Sequence, residues 1–395
     1  MDPQRASELA EVYRKELQES VIPFWAERCP DPEYGGFFSC FDREGNLYDT
    51  TKNTWVQGRC AYMFARLYDE VEARDEWLAA ARRGIDFINR YCFDEESGRM
   101  HYTVSREGKR LTRPWTIFSE CFALGAMCQY SKVTGQSKIL GQAQQLFDQT
   151  LELANDPTLD SCSYPEASQS ISHAIPMILL NVTQQLRQAG CGTAYQPVAD
   201  EMLQRILNLH LHPEHQAIFE YVAPDGSLIE GPMGRVINPG HALESMWFVL
   251  HEARDRGDEK LRDQAVETVE WSIARGWDEE FGGIFYFLDY EGSPSPFLEW
   301  DMKLWWVHIE ALYALLLAHH LSGRDDLLAW FERVHSWTWE HFPDRQYGGW
   351  LGYLHRRGDI ASTAKGNMWK SFYHVPRGLL LIWKLLQEIA SRTSG

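Results

Sequence analysis

Apolar positions recur at the three-to-four-residue spacing of amphipathic helices over most of the chain, broken at intervals by short runs in which apolar residues alternate before a glycine. Helix is therefore the dominant element. The helical stretches come in pairs, 51–72 with 76–90, 114–135 with 137–153, 171–188 with 196–209, 241–256 with 258–276, and 302–322 with 325–341. The stretch 367–390 is left to pair with the N-terminal 4–27. The alternating runs read as β-hairpins: GFFSCFDREG ending at Gly45, RMHYTVSREG at Gly108, AIFEYVAPDG at Gly226, GIFYFLDYEG at Gly292 and GWLGYLHRRG at Gly358. Their first positions, Gly36, Arg99, Ala217, Gly283 and Gly349, advance by 63, 118, 66 and 66 residues, and the double step implies a degenerate sixth copy near Asp156.

Six helical pairs in which the first and last need each other describe a closed ring, an all-α (α/α)6 barrel with short β-hairpins at one end. An open solenoid would need polar capping repeats, whereas the stretch 4–27 keeps an apolar face that the last inner helix can cover. One barrel accounts for residues 1–395 as a single domain. Each inner helix follows a hairpin, so all six inner N-termini, with their free N–H groups and partial positive charge, gather at one mouth. The first turns there are chemically rich: Trp55 and Arg59; Trp115 and Glu120; His173; His241 and Glu244; Trp305, Trp306, His308 and Glu310; Trp369, Lys370, His374 and Arg377.

Composition narrows the function. With 38 Lys and Arg against 56 Asp and Glu, the chain carries a net charge of −18 and no basic block, which disfavours nucleic acid and anionic membrane as partners. No apolar run is long enough to cross a bilayer and the N-terminus MDPQRASELAEV is unlike a signal peptide, so a cytoplasmic protein is expected. The eight cysteines contain no CxxC pair. His210-Leu-His212-Pro-Glu-His215 has the look of a metal cluster but lies in a helix-to-hairpin loop without a matching carboxylate or cysteine set, so no metal site is expected. Phosphate-cradling glycine motifs are absent. The 52 aromatic residues suit a sugar-binding cleft as well as a packed core.

The strings Asn238-Pro-Gly-His241-Ala-Leu-Glu244, Glu299-Trp-Asp-Met-Lys303-Leu-Trp305-Trp306-Val-His308-Ile-Glu310 and Lys365-Gly-Asn-Met-Trp369-Lys370-Ser-Phe-Tyr-His374-Val-Pro-Arg377 resemble the N-acylglucosamine 2-epimerase family. That family includes N-acetylglucosamine 2-epimerases, cellobiose 2-epimerases and aldose–ketose isomerases acting on mannose, all (α/α)6 barrels. The resemblance implies His241 and His374 as the proton-transferring pair, Arg59 as the cation facing the developing oxyanion, and Glu244 as orienter of His241 or ligand of a hydroxyl. It places Trp55, Trp115, Glu120, His173, Met177, Lys303, Trp305, Trp306, His308, Glu310, Trp369, Lys370 and Arg377 around the sugar. No metal or redox cofactor is implied, because no hydride moves.

Chemistry supports the pairing. Taking the hydrogen from carbon 2 of an open-chain aldose gives an enediolate, and returning it to the other face needs a second group that titrates near neutrality. Reprotonation at carbon 1 would instead give a ketose, so isomerisation of an unacylated sugar is the near alternative. Hydrolysis by a carboxylate pair drawn from Glu120, Glu244 and Glu310 is the distant one, and a non-catalytic sugar-binding ring is a third. Members of the N-acetylglucosamine branch are activated by ATP. Here Ser168 and Ile171 stand where that branch places two cations, which argues against ATP dependence. Pro176-Met177 still resembles the same branch. Relatives are often dimers, so a homodimer is the assembly the resemblance suggests.

Overall fold

The computed structural model describes residues 1–156 and 170–391. Thirteen α-helices are present among them. They are α1 (Pro3–Lys15), α2 (Ile22–Ala26), α3 (Thr54–Glu70), α4 (Asp75–Tyr91), α5 (Phe118–Thr134), α6 (Ser137–Ala154), α7 (Ala174–Leu186), α8 (Gln196–Arg205), α9 (Pro239–Arg256), α10 (Glu259–Gly276), α11 (Trp305–Ser322), α12 (Asp325–His341) and α13 (His374–Ser391). A π-helical stretch, Glu16–Val21, joins α1 to α2, so the N-terminal segment is one continuous helical arm.

Inner helices α3, α5, α7, α9, α11 and α13 form a ring, and each packs against its outer partner. Inner-helix burial shows the difference in environment: nearly every residue of α11 is buried, whereas α12 buries one stripe, Leu327, Phe331, Val334, Trp337 and Thr338. The ring closes as the hydrophobic pattern requires. Tyr62 and Phe64 of α3 meet Tyr373 and Phe372 beside α13 at ring centroids of 5.8 and 5.3 Å, and α1 covers the outside of α13. Arg5 of α1 also pairs with Glu332 of α12 at 2.7 Å.

All five hairpins are present and turn alike. The N–H groups of Gly45, Gly108, Gly226, Gly292 and Gly358 each donate to the carbonyl three residues earlier, and all five residues have positive φ, which is why glycine recurs there. Before α3, α9 and α11 a strand pairs with the following repeat: Lys52–Asn53 with Thr103–Val104, Val236–Ile237 with Leu288–Asp289, and Lys303–Leu304 with Tyr353–Leu354. Ile171–Ser172 pairs with Tyr221–Val222, and Lys365 and Gly366 exchange backbone hydrogen bonds with Phe41. Among the described residues these five links form a backbone-bonded collar at the mouth that crosses the junction of first and last repeats. The sixth hairpin expected near Asp156 falls on 157–169, outside the described residues.

Five inner helices, all but α9, start later than the periodicity suggests, and α5, α11 and α13 show the reason. Arg99 donates to the carbonyls of Trp115 and Thr116 and holds them extended before α5. Residues 303–304 are taken by the collar, and Asn367 accepts from the N–H groups of Trp369 and Lys370, keeping that stretch a loop ahead of α13.

Candidate active site

The inner helix ends surround a cavity of about 640 Å³. Local sequence sets its walls. Asn238 caps α9 by accepting from the His241 N–H at 3.1 Å, and Pro239 occupies a first-turn position, where its missing donor costs nothing. Gly240 is needed for close approach, since a Cβ there would come within 2.6 Å of the Trp306 ring. Trp306 consequently lies between the two histidines, with its centroid 5.4 Å from His241 and 5.8 Å from His374.

Both imidazoles line this cavity, and each is anchored through Nδ1 by a carboxylate. The Nδ1–H of His241 donates to Glu220, at 3.1 and 3.0 Å from its two oxygens, and that of His374 to Glu310 at 2.8 Å. An ionised carboxylate accepts only, so Nε2 is the free nitrogen on both rings. The electrostatics then diverge. Burial works against the charged form of His241, but the charge and hydrogen bond of Glu220 outweigh it and raise the pKa above the ordinary imidazole value. Burial drives the pKa of His374 well below that value, aided by the positive charges of Arg377 and Arg59. The charge of Glu244 opposes this without outweighing it, and the Glu310 carboxylate is shared with Arg377 at 2.7 Å and with the Trp247 indole N–H at 2.9 Å. The two imidazoles are thus biased in opposite directions, His241 toward the protonated form and His374 toward the neutral one, the division of labour an acid–base pair needs.

Arg59 supplies a third element. Its guanidinium sits 4.0 Å from the Phe122 centroid and 5.2 Å from that of Tyr373, donates to the Trp369 carbonyl at 3.3 Å, and makes no ion pair among the described residues. Burial lowers its pKa to about 10, leaving it a cation with spare donors facing the cavity. Trp55 and Trp115 stack at 5.7 Å with 3° between planes, and Trp369 stands edge-on to both. Trp115 and Trp369 are 36 % and 45 % exposed, so flat apolar faces rim the opening.

Of the residues singled out in the sequence, His241, His374, Arg59, Glu244, Trp55, Trp115, Met177, Trp305, Trp306, Trp369 and Arg377 line this cavity. Six do not, and all but His173, whose buried ring nitrogens make no hydrogen bond among the described residues, have a structural occupation. Lys303 is fully buried against Asp278 at 3.1 Å, with its pKa lowered to about 8 by burial. Lys370 donates from inside the collar to the Trp350 and Lys365 carbonyls. His308 and Glu120 accept the backbone N–H groups of Ile284 and Met100, as Gln57 accepts that of Phe37, so they latch hairpins rather than bind a ligand. His173 is buried beside His210 with its backbone N–H on the Glu220 carbonyl. Glu310 lies one layer out and acts through His374 and Arg377.

Glu244 is also reassigned. Its Oε1 accepts from Arg377 at 2.5 Å, and the residue that orients His241 is Glu220. Nothing in the motif strings marks Glu220. Aligning the hairpins does: the third position after Gly36, Arg99, Ala217, Gly283 and Gly349 is Ser39, Tyr102, Glu220, Tyr286 and Gly352, and only one of these is an acid. Glu244, Glu310 and His374 also offer donor atoms within 4.8 Å of one another. Arg377 already bridges both carboxylates there, so the positive charge such a cluster would seek comes from the protein itself.

A six-paired helical barrel whose mouth gathers two carboxylate-anchored imidazoles and an arginine without an ion pair among the described residues defines a carbohydrate-isomerising enzyme class. The sequence matches the N-acylglucosamine 2-epimerase (GlcNAc 2-epimerase) family over residues 36–377. The N-acylglucosamine 2-epimerase of Bos taurus is 40% identical over 381 residues, 94% of this chain and 90% of that protein. That of Homo sapiens is 37% identical over 380 residues, 94% and 89% of the two chains. The structure of cellobiose 2-epimerase from Bacillus thermoamylovorans superposes with a TM-score of 0.85 at 18% identity, covering 96% of this chain and 99% of that one. The chain belongs to the N-acylglucosamine 2-epimerase family.

Proposed function

We propose that this enzyme interconverts N-acetylglucosamine and N-acetylmannosamine by removing the carbon 2 proton with one of His374 and His241 and supplying a proton to the opposite face from the other. The observation that carries this reading is the pair of imidazoles of opposite protonation bias in one cavity. Neutral His374 takes the proton through Nε2, and the negative charge that spreads onto the carbonyl oxygen is met by the unpaired Arg59 guanidinium. Cationic His241, held by Glu220, delivers a proton to the other face. The reverse reaction runs the same steps backward. Trp306, in contact with both rings, covers the sugar between them, while Trp55, Trp115 and Trp369 provide apolar faces at the rim.

The three carboxylates of the inner first turns favour epimerisation over hydrolysis. A hydrolase needs one carboxylic acid and one free carboxylate across a glycosidic oxygen, but Glu244 and Glu310 are both tied to Arg377 and Glu120 is occupied by Arg99 and the collar. Turnover in heavy water is the direct test. The expected outcome is one solvent deuteron at carbon 2 of product formed from either N-acetyl sugar, with or without ATP. Release of reducing ends without exchange would overturn the reading, and accumulation of a ketose from mannose or glucose would redirect it to the isomerase branch. We further propose that the protein acts in the cytoplasm; no helix among the described residues is long and apolar enough to cross a membrane.

A further inference from the structure

The hairpin turns follow one design with one exception. Asp31, Asp94, Asp278 and Asp344 each open the turn by accepting, at the backbone carbonyl, the N–H of the glycine four residues on, namely Gly35, Gly98, Gly282 and Gly348. Each of these carboxylates is paired with a cation of the chain. Asp31 takes Lys52 and Arg106, both at 2.9 Å; Asp278 takes Lys303 at 3.1 Å and Arg356 at 2.8 Å; Asp344 takes Lys365 at 3.0 Å and Arg43 at 2.8 Å; Asp94 takes Arg110 at 3.1 Å.

In the fourth hairpin every member of this set is replaced. His212 stands in the aspartate position, and Gln216, at φ 49°, stands where the others have the turn glycine. The lysine's register position is Val236, paired with Asp289 as Lys303 is paired with Leu354. The arginine's position, two residues before the hairpin glycine, is Tyr290. In place of the anion and its two cations, one ligand atom each from His212, Glu214 and His215 lies within 4.8 Å of the others. The carboxylate expected to be missing from this segment is supplied by Glu214.

Hydrogen bonding around the cluster anchors the outer ring nitrogens and turns the inner ones toward Glu214. His212 Nε2 faces the Leu209 carbonyl at 3.2 Å, which can only accept, so that nitrogen carries the proton. In the neutral ring Nδ1 is then a lone pair, and it points at the Glu214 carboxylate 3.1 Å away. Between that nitrogen and the carboxylate there is a seat that a proton or a metal ion can take. On His215, Nδ1 is occupied by the Tyr290 hydroxyl at 2.9 Å, leaving Nε2 turned toward Glu214 at 3.9 Å. Anchoring the outer nitrogen of each imidazole while presenting the inner one is how ligating histidines are held.

We propose that the fourth hairpin binds one divalent transition-metal ion of the zinc class through His212 Nδ1, the Glu214 carboxylate and His215 Nε2, in the role that lysine and arginine fill in the other hairpins. Two imidazole nitrogens and one carboxylate favour zinc over magnesium or calcium. Glu214 is exposed and can close on the ion, and the net charge of −18 favours a cation at the surface. The rings of His212 and His215 lie 5.2 and 5.9 Å from that of Phe219, next to Glu220, so a bound ion would stiffen the strand that holds His241 without touching the reaction.

The test is calorimetric titration of the full chain, stripped with chelator, with Zn²⁺, alongside Co²⁺ followed by visible absorption. Expected are one ion per chain, a metal-dependent rise in Tm, and affinity weakened at least about tenfold by His212→Gln or His215→Gln and less by Glu214→Gln. Binding should persist with saturating sugar, and the Tm of the stripped chain should be little changed by Glu214→Gln, which keeps the test independent of any folding defect. Absence of binding to the unsubstituted chain, or equal affinity and stoichiometry in the His212→Gln/His215→Gln double variant, would overturn the proposal.

Discussion

The two histidines share a cavity and a tryptophan, but the walls behind them are built differently. His241 leans on one carboxylate, Glu220, presented by a hairpin strand and not shared with any cation among the described ion pairs. His374 leans on Glu310, which belongs to a buried lattice with Arg377, Glu244 and Trp247. The first wall spends its full charge on one imidazole. The second distributes it, and burial then decides the imidazole's state. Proximity of a carboxylate therefore does not fix a histidine's protonation; what else that carboxylate holds does.

The largest expected effect comes from removing either ring. His241→Ala and His374→Ala should each lower kcat by about 10³-fold or more with Tm little changed, measured as carbon 2 exchange. Arg59→Ala should lower kcat by about 10²-fold, with a smaller change in KM, if its charge is used as the oxyanion forms. The two walls separate in the next pair of variants. Glu220→Gln should cost activity and move the basic limb of the kcat/KM profile to lower pH, since the carboxylate that raises the His241 pKa is gone. Glu310→Gln should cost about 3 kcal/mol of stability as well, because Arg377 loses one of its two buried partners; equal Tm values for the two variants would dissolve the contrast.

Stability against pH gives a further check. Burial lowers the pKa of His210 and His335 to about 4 and of His251 and His308 to about 3. Below about pH 6.5 the unfolded chain binds protons that the folded one refuses, so stability should fall as pH drops from there through those folded values. Denaturant melts at pH 7, 6 and 5 will show it, and a flat profile would contradict the burial of these rings. The smallest effect belongs to the rim, where Trp369→Ala should raise KM a few-fold and leave kcat near its starting value.

Much of this was legible in the chain, for physical reasons. Repeats with a fixed glycine interval fix the hairpin turn, and helical periodicity fixes the pairs, so ring architecture followed from spacing. Residues on inner first turns could be placed at the mouth, but spacing does not tell which way a side chain faces. His308 and Glu120 therefore looked like wall residues although they serve the backbone of the hairpins. Lys303 and Lys370 misled for a related reason, since cations in a site motif and cations neutralising a buried turn are the same residues in one dimension. Glu220 was hidden because its partner lies 21 residues away on another element, and only comparison between repeats exposes it.

The hydrogen-bonded collar carries one more implication. Inner helices that hung independently could tilt to follow a substrate changing shape, but neighbours tied strand to strand must move together. The gap between donor and acceptor imidazoles is then a dimension of the scaffold, like the span of an arch. Two epimers of different outline must both be served by that span, and the adjustment falls to the sugar's own bonds.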